Sequence, residues 1–168
     1  MLARRFSAVF LDRDGTINKK RSDYVKSIRE FIFLPNSQKA ICEFNKLGYY
    51  VVIITNQSVV NRGIINKNQL NKIHNHMIKE IQLKKGKIKK IYFCPHRPDE
   101  DCVCRKPKPG LLLQAIKDFR IDIASSWLIG DSESDIETAN FVGLKSIKIQ
   151  ENGNLMNTVR MIKKENAG

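Results

Sequence analysis

Short apolar runs that stop at clusters of polar residues recur along this chain, and they restrict its fold more than any other feature. "SAVFLD" leads into "DRDGT", "YYVVIIT" into "NQS", and "SWLIGD" into "SESD", while "KIYFC" leads into a cysteine-rich stretch. Runs that are apolar at every position suit parallel strands covered by helices on both faces. Helical patterns lie between them. Asn36 or Ser37 is placed to cap a helix through Leu47, with Ile41, Phe44 and Leu47 at helical spacing and Gly48 past its end. Lys67 to Leu83 carries a stripe of Leu70, Ile73, Met77, Ile78 and Ile81, and Pro109 opens the first turn of "PGLLLQAIKDF". "SDIETANFVG" reads as a short helix ended by Gly143, "KSIKI" as a last strand, and the tail from Asn154 as a final helix. Strand and helix alternate throughout, which predicts an α/β protein: a Rossmann-like parallel sheet with helices on both faces. Ligands in such sheets sit beyond the carboxyl ends of the strands.

Three of those strand ends carry candidate chemistry. Asp12 and Asp14 are two apart, so a strand that persisted would send both to the same side, and Gly15 then permits a sharp turn. Carboxylates held together repel unless a cation sits between them. Mg²⁺ is bound by one or two carboxylates plus phosphate oxygens. A lone pair of this kind is equally a turn cluster. The second strand ends in Thr55, Asn56, Gln57 and Ser58, neutral groups that could grip an anion, and the fourth adds Asp131 and Asp135. Arg105 and Lys106 supply cations in "CRKPKPG", where two prolines stiffen the backbone. Arginine can hold a phosphate in a fork and lysine acts as a point charge.

Cys94, His96, Cys102 and Cys104 follow the pattern C-x-H-x₅-C-x-C. Three thiolates and one imidazole complete a tetrahedral Zn²⁺ shell with no open position, so the ion is expected to be structural and to fix the loop carrying Arg105 and Lys106. A disulfide knot is disfavoured, because the apolar "AVFL" near the start is too short for a secretory leader and thiols in the cytoplasm stay reduced. No apolar run is long enough to span a bilayer. One domain over residues 1–168, with a zinc loop at 94–104, is therefore expected in a cytoplasmic monomer.

The net charge of +13 raises a nucleic-acid-binding protein as an alternative. Its densest stretch, "KKGKIKK", has no interleaved aromatics and reads as a solvated basic linker, and the excess charge can equally draw in small anions. Nucleic acid is not the expected partner. Cys42 reads as core, Trp127 as core or sheet edge, and His74 and His76, two apart on one helix, make a poor metal pair.

In order, "VFLDRDGTIN", "TNQS" with the following "RG", "CPH…CVCRKPKPG" and "GDSESD" resemble the haloacid dehalogenase phosphatase superfamily, from about Phe6 to Ile149. The likeness is greatest to its small zinc-bearing branch of heptose-bisphosphate and histidinol-phosphate phosphatases. That resemblance implies a haloacid dehalogenase fold and Mg²⁺-dependent hydrolysis through an aspartyl phosphate. Asp12 would be the nucleophile and Asp14 the acid and base, with Mg²⁺ on Asp12, Asp14 (through its carbonyl) and Asp131, supported by Asp135. Thr55 and Lys106 would meet the phosphoryl oxygens, and Asn56, Gln57, Ser58 and Arg105 the substrate. Arg62, Gly63 and the proline-glycine pair favour a heptose 1,7-bisphosphate, cleaved at its 7-phosphate, over the alternative, histidinol phosphate. The short interval from His96 to Cys102 points the other way, and, with the basic charge, membership of this superfamily also implies a polynucleotide 3′-phosphatase as an alternative. Val59 replaces a usual glycine, and Ser132 a usual lysine, which removes one positive contact beside Asp131.

Overall fold

The computed structural model describes residues 4–168; Met1–Ala3, where the segment weighed as a leader begins, lie outside the described residues. Five strands form one parallel sheet: β1 (Ala8–Leu11), β2 (Tyr50–Asn56), β3 (Lys90–Cys94), β4 (Trp127–Gly130) and β5 (Lys145–Lys148). The spatial order is β3-β2-β1-β4-β5, so the chain winds outward from β1 one way and then the other. Helices α1 (Ser37–Lys46), α2 (Lys67–Leu83) and α5 (Met156–Ala167) cover one face, and α3 (Gly110–Phe119) and α4 (Glu133–Val142) the other. No helix among the described residues is long and apolar enough to cross a membrane.

The period-two alternation of each strand explains this sandwich. Val9 and Leu11 pack with Val51, Ile53 and Ile129 under α1, α2 and α5. Ala8 and Phe10 pack with Val52, Ile54 and Leu128 under α3 and α4. Both faces of β1 are fully buried, which is why its sequence is apolar at every position. Burial on that scale, at roughly 25 cal/mol per Å² of apolar surface, is the main force that closes the three layers.

Two helix starts differ from the sequence expectation. Asn36 precedes α1 in a left-handed conformation, φ 62°, and makes no side-chain cap, while the Ser37 hydroxyl donates to the Leu34 carbonyl. Pro109 stands just outside α3, whose first residue is Gly110. α2 begins where its pattern begins, because Asn66 and Gln69 each accept from the other's backbone N–H at 2.9 and 2.8 Å. The lysines of "KKGKIKK" are exposed, yet Lys89 Nζ lies 4.6 Å from the Tyr50 ring centroid and Lys90 Nζ 4.5 Å from that of Tyr92. Folding sets aromatics beneath cations that have none beside them in sequence.

Strand order reverses about β1. The crevice beyond the carboxyl ends of β1, β2 and β4 is therefore the switch point where a ligand fits.

Candidate active site

Asp12 is the first residue after β1, and its backbone N–H donates to Ile129 O at 3.0 Å. Its carboxylate meets Lys106, which arrives from the loop before α3. Lys106 Nζ lies 2.9 Å from Asp12 Oδ1, 2.5 Å from Asp135 Oδ1 and 2.9 Å from Ile54 O. Those three acceptors use all three donors of the buried ammonium. Asn56, at the end of β2, holds the Lys106 backbone from both sides, Nδ2 to O at 3.2 Å and Oδ1 from N at 3.1 Å. Burial pushes Asp12 up to about 7; Lys106 opposes that shift, and the charges of Asp135 and Asp14 add to it. Burial disfavours the charged form of Lys106, but Asp12 and Asp135 together raise its pKa.

Asp131 follows β4, and Gly15 passes close beside its carboxylate. Asp131 Oδ2 accepts from Lys20 Nζ at 2.9 Å, whereas Oδ1 is buried without a hydrogen-bond partner. Oxygens of Asp12, Asp131 and Asp135 lie within 4.8 Å of one another. Crowded carboxylates with one orphaned oxygen suit a divalent cation, which satisfies the lone oxygen and offsets the repulsion. Asp135 stands behind, since its Oδ2 accepts from the Ser132 N–H at 3.1 Å and hydroxyl at 2.7 Å at the start of α4.

Asp14 lines the same cleft as Asp12 but is held by different partners. β1 ends at Leu11, so strand alternation no longer applies, and the Asp14 carboxylate turns to a shell of its own. Arg13 Nη2 lies 2.8 Å from both its oxygens, Asn18 Nδ2 is 2.8 Å from Oδ1, and Gln57 Nε2 is 2.8 Å from Oδ2. Burial acts to raise Asp14, but Arg13 and then the Asn18 and Gln57 hydrogen bonds outweigh it and hold the carboxyl below its usual range. Gln57 Nε2 also donates to Thr55 Oγ1 at 2.9 Å. The amides of Asn56 and Gln57 are thus engaged with Lys106, Asp14 and Thr55 within the site.

A cleft of about 300 Å³ opens above these groups. Lys20, Arg21, Arg62 and Arg105 stand around it, with Ser58 and Ser132 in its walls. Arg62 and Arg105 have no carboxylate partner among the described residues; Arg62 Nε lies 3.4 Å from Ser58 Oγ, and Arg105 Nη1 donates to His96 O at 3.1 Å. A cation does stand beside Asp131, but it is Lys20, from the loop after β1. Arg13, Asn18 and Lys20 were not candidates from sequence. Their one visible signal was a place within or just after "DRDGTIN", beside the acids they serve.

β3 ends at Cys94, and the loop after it folds Cys102, Cys104 and His96 back upon that strand end. Cys104 Sγ is 3.0 Å from Cys94 Sγ, Cys102 Sγ is 3.6 Å from both, and His96 Nδ1 is 3.2 Å from Cys104 Sγ. A tetrahedral Zn²⁺ with bonds of about 2.3 Å sets sulfurs about 3.8 Å apart; the sulfurs here are somewhat closer, and the four ligand-type atoms converge within 4.8 Å as a metal site requires. Burial pushes the Cys94 and Cys104 thiols up. It also works against the Cys102 thiolate, but backbone N–H groups of Arg105 and Cys104 bring that thiol down to about 7. The cluster is tied directly to the cleft, since Arg105 N donates to Cys102 Sγ at 3.3 Å.

The family described as HAD-hydrolase-like matches residues 103–157. A D-glycero-beta-D-manno-heptose-1,7-bisphosphate 7-phosphatase of Pseudomonas aeruginosa is 37% identical over 144 residues, 86% of this chain and 81% of that protein. Another of that name from Neisseria meningitidis is 39% identical over 137 residues, 82% of this chain and 73% of that protein. Among solved structures, a D,D-heptose 1,7-bisphosphate phosphatase from B. bronchiseptica, complexed with magnesium and phosphate, superposes with a TM-score of 0.84 at 35% identity. That match covers 92% of this chain and 86% of the other.

Proposed function

The chain belongs to the HAD-like phosphatase family, and from that premise we propose that it removes the 7-phosphate of D-glycero-D-manno-heptose 1,7-bisphosphate in a Mg²⁺-dependent reaction. The observation that carries this reading is the pairing at the cleft floor. Lys106 pins the Asp12 carboxylate beside the unpartnered oxygen of Asp131. Asp12, Asp131 and the Asp14 carbonyl would hold the Mg²⁺, which supplies charge neutralisation to the phosphoryl oxygens. Asp135 acts from behind, through Lys106 and Ser132.

Asp12 attacks phosphorus, the bond to the sugar oxygen breaks, and that oxygen takes a proton from Asp14. Water then attacks the aspartyl phosphate. Asp14 accepts its proton, the bond from phosphorus to Asp12 breaks, and inorganic phosphate leaves. Thr55 and Lys106 border the reacting group, and charge on its oxygens is what such donors stabilise. Arg62 and Arg105, free of carboxylates at the cleft wall, suit the second phosphate of a bisphosphate. A structural Zn²⁺ on Cys94, His96, Cys102 and Cys104 would fix that wall, within one catalytic domain spanning the chain. A cytoplasmic monomer goes with this reading.

Steady-state kinetics with Mg²⁺ on heptose 1,7-bisphosphate and on histidinol phosphate provide the test. The heptose substrate is expected to show the higher kcat/KM, and Asp12→Asn to abolish turnover of both. A clear advantage for histidinol phosphate would assign the substrate to the alternative.

A further inference from the structure

One buried polar residue lies on a helix face that is otherwise apolar. The inner face of α2 consists of Leu70, Ile73, His74, Met77 and Ile81, all buried. His74 Nε2 is 3.1 Å from Arg13 Nη1. A guanidinium can only donate, so Nε2 must be the acceptor, and the ring is neutral with its proton on Nδ1. Burial first, and then the Arg13 charge, hold the His74 pKa down at about 3, which keeps the ring neutral at working pH.

Arg13 is 1% exposed and has few anchors. Its Nε has no hydrogen-bond partner, Nη2 serves Asp14, and Nη1 serves His74. The Phe31 ring centroid lies 5.9 Å from the guanidinium carbon. The two polar anchors of Arg13 are therefore the acid of the site and a histidine 61 residues away in sequence. At the far end of this chain, Asp14 accepts from Arg13, Asn18 and Gln57 through both of its oxygens. A protonated carboxyl could not accept all of these, so the pose is that of the second half of the reaction. By then the Asp14 proton has passed to the leaving oxygen, and the carboxylate is ready to accept one from water.

We propose that His74 is a positioning residue for the second half of the reaction: it fixes Arg13, and through Arg13 it keeps Asp14 oriented to take the proton of the hydrolytic water. This rests on the assignment of Asp14 as acid and base. The step is the breakdown of the aspartyl phosphate: a P–O bond to water forms, the bond to Asp12 breaks, and Asp14 carries the proton away. With an apolar residue at 74, Arg13 Nη1 loses its acceptor and Asp14 loses its register; hydrolysis of the aspartyl phosphate slows, while phosphoryl uptake continues from a substrate such as p-nitrophenyl phosphate, whose leaving group needs no proton.

His74→Leu and His74→Gln, the second retaining an acceptor, are compared with Asp14→Asn on p-nitrophenyl phosphate in rapid-mixing and steady-state assays. His74→Leu is expected to lower kcat about tenfold, leave KM within about twofold, and show a burst of nitrophenolate approaching the enzyme concentration. His74→Gln is expected to restore wild-type kcat without a burst. A general loss of packing lowers the active fraction and gives no burst. Wild-type turnover and no burst in His74→Leu, alongside a slowed Asp14→Asn, would refute the role of His74 alone. An unimpaired Asp14→Asn would overturn the assignment beneath it. Independently of any variant, the wild-type ring is expected to show the Nδ1–H tautomer in long-range ¹H–¹⁵N spectra; an imidazolium or Nε2–H form at pH 7 would overturn the inference.

Discussion

Gly15→Ala isolates the contact between the turn after β1 and the carboxylate of Asp131. Gly15 has φ +86°, and a β-carbon built there falls 2.4 Å from Asp131 Oδ2 and 2.8 Å from Asp131 Cγ. Carbon and oxygen approach to about 3.3 Å without strain, so the carboxylate must move by roughly 1 Å. Lys20 holds one of its oxygens, and Asp12 and Asp135 crowd it, so the shift falls on the geometry of the site. A misplacement of about 1 Å can cost about a hundredfold in rate, or about 2.7 kcal/mol in the barrier. The left-handed backbone adds about 1–2 kcal/mol of folding strain for any residue with a β-carbon, about 2–8 °C in Tm for a chain of this size. Gly48 is the matched control: φ is +88°, nothing lies within 4 Å of its β-carbon position, and it joins α1 to β2 far from the cleft. Thermal melts and steady-state kinetics on both alanine variants should therefore separate the two costs. Both lose a similar number of degrees, and only Gly15→Ala loses kcat and the rise in Tm given by Mg²⁺. Equal kcat for the two variants, or full activity in Gly15→Ala, would refute the argument.

Chelation of bound zinc, or Cys104→Ala, should lower Tm and raise KM while kcat stays within about twofold; metal analysis should find about one zinc per wild-type chain. Lys106→Met leaves Asp12 and Asp135 buried without their shared cation, an expected loss of about 3–5 kcal/mol in a denaturant melt, with kcat reduced about a hundredfold or more. His74 sets an acid dependence of stability. Its pKa falls from 6.5 unfolded to about 3 folded, so between those values the unfolded state binds more protons and stability rises with pH. The contribution is whole above 6.5 and declines as pH falls towards 3, by about 2–3 kcal/mol at pH 4.5. His74→Gln, melted at pH 7 and 4.5, should lack that increment.

The sheet was legible because every residue of β1 and β4 is buried, so the hydrophobic pattern alone identifies these strands as central. The zinc-like cluster was legible because its four ligands fall within one short loop and any compact fold of that loop brings them together. Other features depend on distant partners. Asp12 and Asp14 look like a pair by spacing and both line the cleft, but the strand stops at Leu11, and it is Arg13, Asn18 and Gln57 that hold the second acid. Lys20 finds Asp131 across 111 residues and Arg13 finds His74 across 61, separations at which spacing carries no information. The apolar stripe on α2 gives no reason to single out His74; packing brings it, from that helix, against Arg13. Ser132 itself puts no cation beside Asp131; the one found there, Lys20, comes from the loop after β1 and could not be read from position 132.

Lys106 shows how the resting geometry and the proposed reaction fit together. Its ammonium is fully occupied at rest by Asp12, Asp135 and Ile54 O, so it has no spare donor for an incoming phosphate. Attack on phosphorus consumes the charge of the Asp12 carboxylate and moves negative charge onto the phosphoryl oxygens. The Lys106 bond to Asp12 then loses its electrostatic reason, and the nearest new anion is the group just transferred. Asp135 and Ile54 O hold the ammonium in place during this exchange, so it follows the charge without leaving its socket. In the proposed reaction the cation that opposes protonation of Asp12 before transfer is the one that meets the phosphoryl group after it, electrostatic preorganisation built from one buried lysine.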